Sequence, residues 1–390
     1  MKRVLAVLVC CLCLTGCQLR RGQTEEAGQL LYEAAGIPEG TALLQVDGRD
    51  VPGWRYLYWL ADSCDALTEQ AASQGQEVDW EQDTGSGTAA EYVRRQAEQV
   101  TALYATVESW AETYGCKLEE ADRQDMEAQW TALCARYGGE ESCLQALAQR
   151  GLDREMADAF TADYYLYHHL YELSATAGSA LEPQPEEVQA YAREQELLTV
   201  EVLRISAQGL DRSSAQWQEE RRERGEMVLA KLKESADPVS YFSTLQGTYG
   251  DQTEELPAGP LTLPAADDRL PQACRQAAAQ LEEGTWSGLL EDGDGFYILL
   301  RLPLEETAVT RAYFDWRLQA AAEEADVKLS RAAKTLDLER FLSRWKDLRT
   351  KNAAAERSSF KMQEPSGENE LFHAVKLGKL NKGKPILSKI

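Results

Sequence analysis

Positive charge is scarce in this chain. Its 390 residues hold 41 Lys and Arg against 65 Asp and Glu, a formal net charge of −24. Nucleic-acid binders need a basic stripe to displace counterions from phosphates, so that class is excluded. Long apolar runs are scarce too. Only Met1 to Gly16 sustains one, and no later segment is a candidate to span a bilayer. Histidine is limited to His168, His169 and His373. A conventional His-based triad would need His373 brought in from the tail. Neighbours on a helix point about 100° apart, so His168 and His169 do not grip one metal as an i, i+4 pair does, and they read as a solvated or half-buried face. No cofactor and no metal is expected. Beyond position 17 the cysteines are Cys64, Cys116, Cys134, Cys143 and Cys274, an odd number without a CxxC unit. That argues against a zinc site or a disulfide framework; outside the cell some could pair, and the spacing assigns no partners.

What is present is a chain able to fold. At 44% hydrophobic residues it is no disordered acidic tail. The length suits about two to three domains, each able to bury a core.

Lys2 and Arg3 precede an apolar stretch from Val4 to Leu14, and Leu14-Thr-Gly-Cys17 follows. This order reads as a secretory signal peptide over residues 1–16, too short for a membrane helix. The last four residues resemble a bacterial lipobox, which implies cleavage before Cys17 and acylation of its thiol. Several acyl chains on one residue hold a protein to a membrane far better than one does. The expected location is extracytoplasmic, lipid-anchored to a bacterial cell membrane, with residues 17–41 as a polar linker.

Residues 42–180 read as mostly helical. Ala42 to Tyr56 gives a strand, an Asp47-Gly48 turn and a helix start. Thr88 and Glu91 make a capping box, and Tyr92, Val93, Val100, Leu103, Val107, Trp110 and Tyr114 recur at helical spacing. Met126, Trp130, Leu133 and Tyr137 mark a second helix that stops at Gly138-Gly139. A short third runs from about Glu141 to Arg150, and a fourth, capped by Asp153, carries Met156, Phe160, Tyr164, Tyr167 and Leu170. Their Trp and Tyr rows read chiefly as core, with a share left for a cleft that holds extended chains.

Thr176 to Pro185 breaks the pattern, and the period then changes. Leu198 to Ser206 alternates as a strand with Val200, Val202 and Arg204 on one face. A charged helix follows, whose Glu219 to Glu226 stretch reads as its wet side. A Pro- and Gly-rich loop, a helix around Pro271 to Glu282 and a strand over Gly295 to Leu302 complete a compact α/β unit at 181–305. Helix returns over 306–350, with Tyr313, Phe314, Trp316, Leu318, Leu338, Phe341, Leu342, Trp345 and Leu348 as apolar anchors. Residues 351–390 read as a basic, disordered tail; 371–390 hold five Lys and no acid. The fold class expected is α+β, a mostly helical domain interrupted by an α/β module and completed by its last helices.

This order resembles the extracytoplasmic parvulin-type foldases, the SurA and PrsA class. The matching pieces are Val46-Asp-Gly-Arg-Asp-Val-Pro-Gly-Trp54, Tyr137-Gly-Gly-Glu-Glu-Ser142, Gly151-Leu-Asp-Arg-Glu155 and Pro185-Glu-Glu-Val-Gln-Ala-Tyr191. Within the α/β unit they are Tyr241-Phe-Ser-Thr-Leu-Gln-Gly-Thr-Tyr-Gly-Asp251 and Glu283-Gly-Thr-Trp-Ser-Gly288. The resemblance implies a SurA-like helical chaperone domain around a parvulin-like peptidyl-prolyl isomerase domain. Such an enzyme lowers an amide rotation barrier of about 18–20 kcal/mol, using a dry proline pocket and donors aimed at the carbonyl oxygen.

The resemblance places the catalytic positions at Arg204, Gln252 and Tyr297, where the family has His, Cys or Asp, and His. It places the proline-clasping positions at Leu261, Leu270 and Cys274, the last commonly an aromatic. The site-shaping Gly-Gly-Asp-Leu-Gly stretch has become Ala258-Gly-Pro-Leu-Thr262. The implied function is a membrane-tethered chaperone that binds unfolded or newly exported polypeptides, with weak or lost isomerase activity. The alternative is an active peptidyl-prolyl isomerase in which Arg204 and Tyr297 polarise the carbonyl. A cell-envelope scaffold with neither activity is the third reading. On the plain reading, Arg204 is a surface cation, Tyr297 a half-buried aromatic and Gln252 a polar loop residue.

Overall fold

A computed structural model describes residues 29–73, 75–83, 87–207, 210, 216–253, 256–293 and 295–359. The signal peptide, Cys17 and the basic segment from 360 onward lie outside the described residues. Helix α1 (Gln29–Ala35) leads to strands β1 (Leu44–Val46) and β2 (Arg49–Val51), then to α2 (Gly53–Ser73) and α3 (Ala89–Tyr114). Helices α4 (Glu120–Arg136), α5 (Glu140–Ala148), α6 (Arg154–Ser174) and α7 (Pro185–Glu194) follow. Next come β3 (Leu197–Arg204), α8 (Trp217–Glu234), α9 (Pro238–Tyr249), β4 (Leu261–Pro264), α10 (Gln272–Ala278), β5 (Leu290–Asp292) and β6 (Gly295–Leu302). The described chain closes with α11 (Glu306–Glu324), β7 (Val327–Leu329), α12 (Arg331–Lys334) and α13 (Leu338–Ser359). The fold is α+β, mostly helical with small antiparallel sheets. It divides into two compact units. One comprises residues up to Leu181 together with Arg317 onward, and the other Glu182–Trp316.

In the first unit, local signals set the element ends. Asp47 and Gly48 both take positive φ, 51° and 78°, which matches the twist of a two-residue hairpin turn between β1 and β2. The Thr88 hydroxyl accepts from the Glu91 amide while the Glu91 carboxylate accepts from the Thr88 amide, the expected capping box on α3. Asp153 caps α6 through the Met156 amide. β7 adds to β1 in the order β2-β1-β7, and Asp326 N–H donates to Asp47 Oδ1 at 2.8 Å to hold that edge.

Two segments depart from the sequence expectation. The 17–41 linker contains α1, because Leu31 and Tyr32 have a core to enter and are buried. Trp345 of α13 is buried beside Leu31 across Gly151; a Cβ at Gly151 would sit 2.7 Å from Leu31 and 2.8 Å from Trp345. The tail expected from 351 begins as helix, since α13 continues to Ser359. Upstream, α13 is tied to α2 by a bidentate pair, Arg349 to Asp65 at 2.7 and 3.0 Å.

The second unit is built on a four-stranded antiparallel sheet in the order β4-β3-β6-β5. Both faces are covered. Leu203, Ile205, Phe296, Ile298 and Leu300 pack under Val228 and Leu232 of α8 and Phe242 and Leu245 of α9. On the opposite face Leu198, Val200, Val202, Leu263 and Leu299 pack with Leu256, Leu270, Cys274 and Ala278. The supposed Pro- and Gly-rich loop thus contains β4, which pairs with β3 from Leu197↔Pro264 to Val200↔Leu261.

Candidate functional site

The resemblance directs attention to one corner of this sheet. Arg204 ends β3 and pairs in register with Tyr297 of β6. As the alternation predicts, Arg204 shares a face with Val200 and Val202. The Asp251 amide donates to the Arg204 carbonyl at 2.8 Å, which draws the loop carrying Gln252 to the same strand end. The three positions Arg204, Gln252 and Tyr297 are therefore brought together. Their surroundings differ, however: Gln252 is exposed, Arg204 half-buried and Tyr297 buried. Arg204 Nε is buried and has no hydrogen-bond partner among the described residues. The Tyr297 ring lies against Gly295, where a Cβ would come within 2.4 Å of its hydroxyl, so only glycine admits this ring position.

The positions expected to clasp proline fall in or against the same apolar cluster as Tyr297. Leu270 and Cys274 are both 0% exposed, and Leu261 is half-buried at its margin. They are held there by a set of polar ties that the sequence reading did not identify. Arg275 donates to the Leu270 carbonyl at 2.7 Å, and the Asp292 carboxylate accepts from the Ala273 amide at 2.9 Å at the start of α10. Buried Gln246 donates to the Val202 carbonyl at 2.8 Å and accepts from the Gly259 amide at 3.0 Å, fixing the stretch 258–260 against β3. A glutamine inside an otherwise amphipathic helix gives no periodic signal of such a role.

Chemically this corner is poor in proton carriers. Residues 182–316 contain no histidine. Burial pushes the Cys274 thiol up to about 12, with Asp292 adding to the rise, so it is a protonated packing group at neutral pH. Glu201, raised by burial and held by the Ser243 hydroxyl at 3.2 Å, alternates to the other face of β3.

The first unit holds a different concentration of chemistry. Phe160 is the hub of an aromatic cluster with Trp54, Tyr58, Trp59 and Tyr104, at ring separations of 5.2 to 5.6 Å. These rings are largely buried, so this part of the Trp and Tyr rows is core. Among them lies Arg55, 3% exposed, which donates to Asp163 at 2.7 Å and pairs with Glu108 at 2.9 Å. Burial pushes the Asp163 carboxyl up to about 7, against the pull of Arg55. The neighbouring Glu108 carboxylate adds to the rise. One proton between the two carboxyls leaves the trio neutral, the arrangement a dry interior tolerates best.

Nearby, several polar contacts join α4 to α6. His169 Nε2 meets Asp122 Oδ2 at 2.8 Å, Tyr165 donates to Asp125, and Arg154 bridges Glu127 at 2.9 Å and Asp158 at 2.7 Å while lying 4.1 Å over the Trp130 ring. The His169 partner was invisible in the sequence because Asp122 lies on another helix. The charged helix α8 is also less wet than expected. Arg221 is buried and donates to the Ile205 carbonyl at 2.6 Å, and Arg224 reaches the Ser206 carbonyl at 2.7 Å.

No protein-family model matches the chain, and no curated protein sequence matches it. Solved structures similar to it include foldase protein PrsA from Streptococcus pneumoniae, 15% identical over 87% of this chain and 98% of that one, with a TM-score of 0.28. PrsA from Bacillus subtilis is 12% identical over 77% of this chain and 98% of that one, with a TM-score of 0.32. A SurA-like chaperone of Campylobacter jejuni is 10% identical over 75% and 99%, with a TM-score of 0.22. At identities this low, no residue role passes from those proteins to this chain.

Proposed function

We propose that this chain is an extracytoplasmic chaperone, tethered to a bacterial cell membrane by acyl chains on Cys17, that binds unfolded or newly exported polypeptides. Residues 42–180 and 306–350 form its chaperone domain, and 181–305 a parvulin-like domain whose isomerase activity is weak or lost. The observation that carries the loss is the enclosure of Leu270 and Cys274 in one cluster with Tyr297, on a unit without histidine. A proline ring has no place among side chains that already fill the face, and a twisted amide has no imidazole beside it. The tether rests on Leu14-Thr-Gly-Cys17. Client binding is supported by exposed apolar side chains, chiefly Trp316, which stacks on Tyr313 at 5.7 Å and meets Tyr191 at 5.4 Å. The net charge of −24 favours basic clients and makes binding weaken as salt rises.

One observation favours the second reading, an active isomerase. The unpartnered Arg204 Nε lies across β3 and β6 from Tyr297, so two donors stand near one strand end. Two assays on the full chain separate the readings: isomerisation of a proline peptide, and suppression of aggregation of a chemically unfolded client. Suppression without turnover is expected. Turnover well above background that falls in Arg204→Ala and Tyr297→Phe would establish the isomerase instead.

A further inference from the structure

The turn between α4 and α5 places two thiols together. Gly138 and Gly139 take φ of 81° and 135°, conformations that favour glycine, and they turn the chain from the end of α4 into α5. Gly139 N–H donates to the Cys134 carbonyl at 2.8 Å, and Cys143 N–H donates to the Gly139 carbonyl at 3.1 Å. Both cysteines thus bond to the same residue, and each thiol lies near enough to the other to shift its protonation. Cys134 is 7% exposed and Cys143 0%.

We propose that Cys134 and Cys143 form a disulfide when the chain meets a disulfide donor, closing the α4–α5 elbow covalently. Cys134, the less buried of the two, attacks a donor disulfide R–S–S–R as its thiolate. An S–S bond breaks, one R–SH leaves with a proton, and a mixed disulfide remains on Cys134. Cys143 then attacks the Cys134 sulfur, and the second R–SH leaves with the proton from Cys143. The two electrons lost by the protein thiols end on the two donor sulfurs. The donor class is a small-molecule disulfide or a thiol–disulfide oxidoreductase of the extracytoplasmic space; the location rests on the Cys17 reading, while the bond itself can be tested on purified protein.

The bond matters because of how α4 is otherwise held. Its ties to α6 through Asp122, Asp125 and Glu127 are polar, and contacts of that kind loosen with salt and pH. A disulfide keeps the C-terminal end of α4 on α5 when those contacts open. Burial raises both thiols, Cys143 to about 12, so exchange is slow until α4 lifts.

The test incubates folded full-chain protein with glutathione disulfide, quenches with acid, alkylates under denaturing conditions and digests with trypsin, which separates the two cysteines at Arg136. The expected result is a Cys134–Cys143 peptide pair, lighter by two hydrogens than its reduced halves, with loss of both alkylation adducts. Dithiothreitol restores the adducts, and Cys143→Ser abolishes the pair. Slower hydrogen exchange of α4 amides in the oxidised wild type, absent in Cys134→Ser, gives a second readout. Persistent alkylation of both residues, preferential pairing of either with another cysteine, or pairing only in denaturant would overturn the proposal.

Discussion

The interiors of the two units bury polar groups in different ways. The first buries an Arg55–Glu108–Asp163 trio inside a shell of aromatic rings, and its helices are tied by further ion pairs. The second packs aliphatic and aromatic side chains on both faces of its sheet, and its buried Arg221 and Gln246 are bonded to backbone carbonyls, of Ile205 and Val202. The sequence reading took the Trp and Tyr rows of the helical unit chiefly as core, and in the α/β unit it singled out the polar Arg204, Gln252 and Tyr297 at substituted catalytic positions. Polar character in a motif position is thus no guide to where charge is buried; the packing around each residue decides that.

The contrast is broken most severely by removing a charge from the trio. Asp163→Ala takes away the carboxyl that Arg55 grips at 2.7 Å in a dry site, leaving that donor unsatisfied, and is expected to cost about 3–5 kcal/mol, read by urea unfolding of the first unit. Asp163→Asn, which mimics the protonated acid, should cost clearly less. Next comes Leu270→Ala. As a core residue it should cost about 2–5 kcal/mol of stability, whereas a substrate-pocket residue would leave stability nearly unchanged and reduce turnover.

Titration sharpens the comparison further. The folded-state pKa of Asp163, about 7, lies above its ordinary 3.8, so its contribution is full below 3.8 and is lost as pH rises through 7. That loss should vanish in Asp163→Asn. The smallest effect belongs to the α4–α6 clasp. The His169 pKa is raised above 6.5, chiefly by its bond to Asp122, so its stabilisation is present below 6.5 and lost as pH rises through the folded value. The Asp122 pKa is lowered below 3.8: burial, the largest influence, opposes the bonds to His169 and Glu119 that outweigh it together, so that stabilisation is lost as pH falls. The clasp is therefore strongest between 3.8 and 6.5. His169→Gln should cost about 1 kcal/mol there and flatten the profile, measured by thermal unfolding across pH.

Much of the fold was legible because periodicity and caps are local. Thr88 with Glu91, Asp153, the Asp47-Gly48 turn, the β3 alternation and the β6 strand all appear as read. What escaped notice depends on distant partners. β5 and β7 have three residues each, too few to show alternation, and β7 gains its meaning only from β1. β4 ends at Pro264 and looks like loop until β3 pairs with it. At the candidate site, the resemblance named Arg204, Tyr297, Leu270 and Cys274 by role, and the structure pairs the first two across β3 and β6 and packs the last two with Tyr297. It held no sign of Gln246 bridging β3 to Gly259, or of Arg275 and Asp292 pinning α10, because hydrogen bonds between separate elements leave no spacing to read.

The most direct test of a filled sheet face is exchange NMR of an Xaa-Pro peptide mixed with the full chain, followed together with the methyl signals of Leu261 and Leu270. The account predicts cis–trans exchange at the uncatalysed rate and unshifted methyl signals. Accelerated exchange accompanied by shifts at Leu261 and Leu270 would contradict it, by showing that the face opens and takes proline.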